Sequence, residues 1–599
     1  VSTTNPPIPD ATAEPPTEST TAASDDSQVT RPSAQADAAL ADDHASLSKS
    51  TPHADQANGP HTAPIGTSPE GHPGEPLEQP TGSIATAGVA CETPADADLD
   101  AAQDVTSNTT ARSVEPFAAR ANSRNALVAL AMRLHFYAGV FVGPFILIAA
   151  LTGALYSISP TVESIVNRGL LHVDSSGPAR PLADQVAAAT AQEPKLVLAA
   201  VDPAQHARDT TRVLFSDPLL GESEKRAVFV DPVTAKPVGA SVVYGSTGAL
   251  PLRTWIDQLH RNLHLGQPGR LYSETAASWL WVVALAGLVV WMRRAGARYR
   301  GLRRLTWPDL GRKGRLRTMN WHAAVGVWVL VPLLFLSATG MTWSTYAGAH
   351  VDALRARLSW TTPSVSTALP GSGTKPGTTS SMPGMDMPGM DMPGMSMPGM
   401  DMSSGTSGGM QPPSTDRIAQ VDKVFAVARG HHVDGPVEIT IPAADHTAFV
   451  VKERRISGVL TQDAIAVDGV TGDVTDTVRY ADWPLMAKLA NWGIALHMGM
   501  MFGLANQLLL LLTMIALITV VVRGYLMWWR RRPQRTPRFP FGTPPRRGVL
   551  REIHPAILAG LLVIAAAIGW FAPMLGITLL GFLIIDIAIG AVRHLRTTT

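Results

Sequence analysis

The sequence predicts a membrane all-α bundle of six transmembrane helices carrying two small extracytoplasmic α+β modules, in which one helix–module–helix unit occurs twice. Three observations predict it. Six apolar stretches lie at roughly 134–158, 273–292, 320–344, 500–522, 555–572 and 574–592, and about 20 residues at 1.5 Å each cross a hydrocarbon core of about 30 Å. The first and third stretches open alike. Arg133, Leu134 and His135 lead to Gly139 and later to Thr152 and Gly153; Asn320, Trp321 and His322 lead to Gly326 and later to Thr339 and Gly340. Each also holds a mid-segment proline, Pro144 and Pro332, one residue out of register. Third, arginines crowd the links after the second and fourth stretches, from Arg293 to Arg317 and from Arg530 to Arg551.

The elements follow in order. Residues 1–120 are rich in Ala, Thr, Pro, Ser, Asp and Glu and almost free of aromatics. Such a segment buries too little apolar surface to offset its ordering entropy, so a disordered tail is expected. It has no apolar core of the kind a signal peptide needs. The first span, with its arginine-bearing approach, takes 124–158, and an extracytoplasmic region follows over 159–272. Within it, 180–245 reads as a module: a helix from Leu182 to Ala191, then short strands at 195–199, 211–215, 226–230 and 236–240, with Asp231 and Pro232 opening the last turn. The second span is 273–292, the basic loop 293–319 and the third span 320–344.

A linker over 345–414 then leads to a second module at 415–480. It repeats the grammar, with a helix from Asp416 to Ala428, strands at 437–441, 448–452, 463–467 and 474–478, and a turn from Asp468 to Asp473. The fourth span takes 497–522 and a basic loop 523–553. A closing hairpin at 554–592, turning at Pro573, has no counterpart in the repeat. The positive-inside rule places the basic links, and with them both termini, in the cytoplasm of a multi-pass protein of the cytoplasmic membrane.

Charge and cysteine usage exclude several classes. The formal net charge is +1, so no global field points to nucleic acid. Cys91 is the single cysteine, which leaves no disulfide framework, no covalent haem attachment and no thiolate metal site. No Gly-x-Gly-x-x-Gly follows a strand, so a built-in dinucleotide domain is not expected.

Four histidines carry the chemistry. His135 and His322 stand near the basic ends of their spans; His264 and His497, each followed by x-Gly, stand before spans two and four. A twofold relation between the halves would set His135 opposite His322 and His264 opposite His497. Facing imidazoles can supply both axial ligands of a b-type haem, and two such haems would form a path across the bilayer. Gly139, Gly143, Gly326, Ala323 and Ala324 would let a macrocycle approach. His260 rivals His264 as the ligand, because it lies one helical turn earlier; His260 and Arg261 could instead pair a haem propionate. Taken singly, each histidine also reads as an interfacial polar residue. His350 and His554 are read as such, and Asp586 is an intramembrane acid with no partner evident in the sequence.

The chain resembles the PepSY-associated transmembrane helix family over about 124–532. The resemblance rests on the Arg-Leu-His-x-x-x-Gly and Trp-His-x-x-x-Gly openings, Leu259-His260-Arg261, the two His-x-Gly elements and the Asp-Pro-x-Thr-Ala and Asp-Gly-x-Thr-Gly turns. It implies kinship with inner-membrane ferric-siderophore reductases, and PepSY modules that inhibit proteases or bind proteins.

The linker holds a further signal that the resemblance does not cover. Met382, Met385, Met387, Met390, Met392, Met395, Met397, Met400 and Met402 recur between Pro-Gly turns. Thioethers are soft ligands that select Cu(I), so this insert is expected to contact copper; replication slippage in a low-complexity linker is the plain alternative. The expectation is a transmembrane metalloreductase with two bis-His b haems, fed by a quinol or a flavoprotein and reducing a ferric chelate or cupric copper. The rival is a non-enzymatic regulatory or copper-binding accessory protein.

Overall fold

Proline sets the first feature of the fold. The computed structural model describes residues 115–296, 303–369, 415–531, 545 and 549–598, so the tail and the Met-rich insert lie outside the described residues. Helix α1 (Glu115–Phe141) breaks at Val142 before α2 (Gly143–Val166), with Pro144 in the first turn of α2. A proline lacks the N–H that would bond the carbonyl four residues back, here that of Val140. The Tyr525 hydroxyl donates to that carbonyl instead, at 2.8 Å.

One turn, α3 (Arg168–Leu171), and the module helix α4 (Leu182–Gln192) precede strands β1 (Val197–Asp202), β2 (Thr211–Ser216), β3 (Glu224–Asp231) and β4 (Lys236–Tyr244). Helix α5 (Pro251–Asn262) leads into the long α6 (Gln267–Gly296). After the turn α7 (Arg303–Thr306), α8 (Gly314–Trp328) and α9 (Leu330–Thr342) meet at Val329, just before Pro332. Helix α10 (Tyr346–Arg357) and the module helix α11 (Thr415–Gly430) precede β5 (Val437–Thr440), β6 (Phe449–Glu453), β7 (Ala464–Val467) and β8 (Val474–Val478). The chain ends with α12 (Leu485–His497), α13 (Gly503–Trp529), α14 (Pro555–Phe571) and α15 (Pro573–Thr598).

Four helices among the described residues are long and apolar enough to cross a membrane: Gly143–Val166, Gln267–Arg294, Gly503–Trp529 and Pro573–Val592. The pair α8 and α9, bent by 59°, makes a fifth if it counts as one span. This is a multi-pass membrane protein. The straight spans expected at 134–158 and 320–344 are instead broken helices, each at its proline. Two further apolar helices, Asn125–Phe141 and Pro555–Phe571, fall short by length. Within the bundle α2 packs on α13 and α9 on α6, while α1 lies on α6 and α8 on α13. Asp586, on α15, accepts from Arg133 of α1 at 2.8 Å, so a half-buried acid without an evident sequence partner has one in space.

The strands form on short runs rich in Val, Ile, Phe and Thr, but the two modules are not separate. All eight strands make one antiparallel sheet in the order β4-β3-β2-β1-β5-β6-β7-β8. The seam is the β1–β5 pair, in register at Ala200–Thr440 and Val201–Ile439. Helices α4 and α11 share one face, over a core that includes Val186, Phe215, Val424 and Phe449. Asp422 of α11 accepts the Leu182 and Ala183 N–H groups at 2.7 and 2.9 Å, satisfying two of the orphan donors at the start of α4. The other face carries smaller clusters around Leu214, Phe229 and Leu250 and around Val450 and Ala466.

Candidate functional site

Two pairs of half-buried histidines emerge from this packing. At the end of the bundle that carries the arginine links, His135 of α1 faces His322 of α8, with ring centres 6.0 Å apart and planes at 74°. The His135 Nδ1 lies 2.9 Å from the Val283 carbonyl of α6, and the His322 Nδ1 lies 2.8 Å from the Val520 carbonyl of α13. A carbonyl only accepts, so Nδ1 carries the proton and Nε2 keeps its lone pair in both rings.

Glycines make this approach feasible. A Cβ built on Gly287 of α6 would lie 2.7 Å from His135 Cε1, and one on Gly524 of α13 would lie 3.6 Å from His322 Cε1. Sequence reasoning named other small residues and missed these two. The available signal was depth: both sit a few residues before the arginines that close their spans. Gly139 and Gly326 face open space.

At the sheet end, His260 of α5 and His497 of α12 line one cavity, of about 1390 Å³ with its open mouth included. His260 Nδ1 is 2.9 Å from Thr152 Oγ1 of α2, and His497 Nδ1 is 2.6 Å from Thr339 Oγ1 of α9. Each threonine hydroxyl donates its proton back to its own helix, to Ile148 and Phe335 respectively. Its oxygen therefore accepts from Nδ1–H, and Nε2 is again the atom left for a ligand. These are the Thr-Gly pairs that mark the sequence repeat. Gly153 follows for a packing reason, since a Cβ there would lie 3.1 Å from His260 Cε1.

The cavity wall is largely apolar, with Ala150, Ala276, Ala277, Leu336 and Met514, and takes in Asp257, Arg261, Arg270 and Glu274 as well. Glu274 is spoken for: it accepts the Tyr346 and Ala347 N–H groups at the start of α10, each at 3.0 Å. On the other side, Glu163 accepts the Leu250 N–H at 2.6 Å and pairs with Arg253 at 3.7 Å, fixing α5 against α2.

The remaining sequence candidates sit elsewhere. His264 is exposed, beyond the end of α5, with φ +56° and its ring against Trp255. His350 bonds the Phe571 carbonyl at 3.0 Å, and His554 caps α14 through Ala556 N–H. Arg261 donates to Tyr244 at 2.7 Å. The nine methionines lie outside the described residues. Among the described residues no three His, Cys, Asp or Glu side chains cluster as for a multi-ligand metal site. The arrangement offers paired imidazoles only.

The sequence pattern of the PepSY-associated TM region matches residues 132–531, two thirds of the chain. The chain belongs to that family. The PepSY-associated TM region takes in both histidine pairs, both halves of the sheet and α13, and leaves the α14–α15 hairpin outside. Proteins with this region are membrane proteins, and some are linked to metal reduction. No curated protein matches the chain.

Proposed function

We propose that this chain is a b-haem oxidoreductase of the cytoplasmic membrane that passes electrons from the cytoplasmic side to an oxidised metal outside, a ferric chelate or cupric copper. One observation carries the reading: two half-buried imidazole pairs, one at each end of the bundle, with all four Nδ1 atoms engaged and all four Nε2 atoms left for a ligand. The donor set suits a bis-His haem.

His135 and His322 would hold the inner haem, and His260 and His497 the outer one. His260 replaces His264 as the preferred ligand because it lines the cavity, whereas His264 is exposed and does not. When bound, the haems supply one-electron transfer and no open coordination site. The chain's own residues do the rest. The carbonyls of Val283 and Val520 and the hydroxyls of Thr152 and Thr339 fix the imidazole tautomers, and apolar walls exclude water. A quinol or a cytoplasmic flavoprotein is the donor in this reading.

The topology in this reading has six spans: α1 with α2, α6, α8 with α9, α13, α14 and α15. The arginine links face the cytoplasm, and the two halves are a tandem repeat about the β1–β5 seam. The Met-rich insert adds a Cu(I)-binding tether on the outer side. The alternative is a regulatory or copper-binding accessory protein without electron transfer. An oxidised-minus-reduced absorption spectrum with haem quantified per chain separates the two. Low-spin b-type bands at about two haems per chain are expected, falling to about one in His322→Ala and in His497→Ala. Absence of haem from cells supplied with iron and haem precursor, or unchanged content in both variants, overturns the reading.

A further inference from the structure

A second cavity, of about 1240 Å³ with its mouth included, lies under the seam of the sheet, on the face opposite α4 and α11. Charged residues line up there across four strands. Register sets Arg212 beside Asp202 and Lys452 beside Glu438, and Asp202 and Glu438 follow the Val201–Ile439 pair on the two sides of the seam. Asp202 is neutralised by Arg454 at 3.0 Å, and Glu438 has Lys452 next to it. Glu453 spends its carboxylate on the backbone N–H groups of Gly435 and Asp463.

Arg212, Lys225 and Arg455 remain. Arg212 is held by the Gly248 carbonyl at 3.3 Å and lies over the Phe229 ring. Among the described residues Arg455 has no carboxylate partner; its guanidinium donates to the Asn491 amide oxygen at 2.8 and 3.1 Å. Burial and the neighbouring Arg454 push Arg212 down to about 10, and burial pushes Arg455 down to about 10. Both cations thus lack full compensation. Among the described residues two donors are also left unused, the indole N–H of Trp483, 6% exposed, and the Nε–H of Arg454, against one idle acceptor, Asp202 Oδ1, whose carboxylate is paired with Arg454 through its other oxygen. A wall with surplus positive charge and idle N–H groups is complementary to an acceptor-rich anion.

We propose that this cavity is a binding site for a small oxyanion, a solute carrying carboxylate or phosphate groups. The site stands apart from the electron-transfer reading, because none of its residues is one of the four paired histidines. The test is calorimetric titration of the purified full chain in detergent with citrate, with inorganic phosphate and with glycerol as a neutral control. Saturable binding of one anion per chain is expected and none of glycerol. Preference for citrate identifies an organic carboxylate, and preference for phosphate a phosphate ligand. Arg455→Gln and Lys225→Gln should each weaken binding about tenfold, and Trp483→Phe severalfold, with circular dichroism and elution volume unchanged. Two substitutions at separate places, Lys225 on β3 and Arg455 just beyond β6, keep the test usable should one variant misfold. Failure of both anions to saturate the protein, or equal affinity in the folded variants, overturns the proposal.

Discussion

At each paired histidine one hydrogen bond decides which nitrogen is left over. The choice between His260 and His264 follows from the same local geometry. Leu263 and His264 both adopt left-handed backbone, at φ +54° and +56°, which turns the chain off α5 before it can complete another turn. His260→Ala is therefore expected to remove one haem of two, and His264→Ala to remove none; the haem content of the two purified variants decides it. The glycines give a graded counterpart. A methyl at Gly287 would stand 2.7 Å from His135, and one at Gly524 would stand 3.6 Å from His322. Gly287→Ala should displace its ring and lose the inner haem, whereas Gly524→Ala meets ordinary contact and should keep it. Equal haem content in both would break the link between these glycines and the rings. The facing of His135 and His322 was legible in the sequence, because the repeat placed both at one depth. The choice between His260 and His264 was not, since four residues are one turn and neither site of left-handed backbone is a glycine.

Elements show a similar division. Pro144 and Pro332 were visible as mid-segment prolines of stretches read as unbroken spans, although the physical rule that a proline frees a carbonyl was available from the start. Its consequence was not, because the compensating donor, Tyr525, lies on a helix far along the chain. Tyr525→Phe leaves the Val140 carbonyl without that donor in apolar surroundings. The expected cost is about 1–3 kcal/mol, read as a lower midpoint in denaturant unfolding from detergent, with haem content preserved. An unshifted midpoint would mean that another group satisfies the carbonyl. The strands were readable one by one as short apolar, β-branched runs bounded by turns. The β1–β5 pairing was not, because nothing in two separated alternating stretches says that they are neighbours.

At the scale of the molecule, the seam concentrates buried charge. Burial raises the Asp202 carboxyl to about 6, the attraction of Arg454 offsetting part of the effect. The folded state then holds this proton more tightly than the unfolded chain does. The group's contribution to stability is full below the unfolded carboxyl value of about 3.9 and is lost as pH rises through about 6. Between pH 4 and 7 the protein should lose on the order of 2 kcal/mol relative to Asp202→Asn. Thermal unfolding of both across that range measures it, and parallel pH profiles would count against a raised carboxyl.

The seam also has a meaning for synthesis and descent. β1 is made long before β5, so a nascent chain carries an open sheet edge until two more membrane helices and the second module have followed. Open edges are templates for pairing with another chain. Because β1 meets β5 antiparallel, β1 can meet a second β1 in the same way. A half-length version of this protein would thus find its missing edge in its own twin. In the full chain β5 supplies that edge in cis, and the choice of partner is removed.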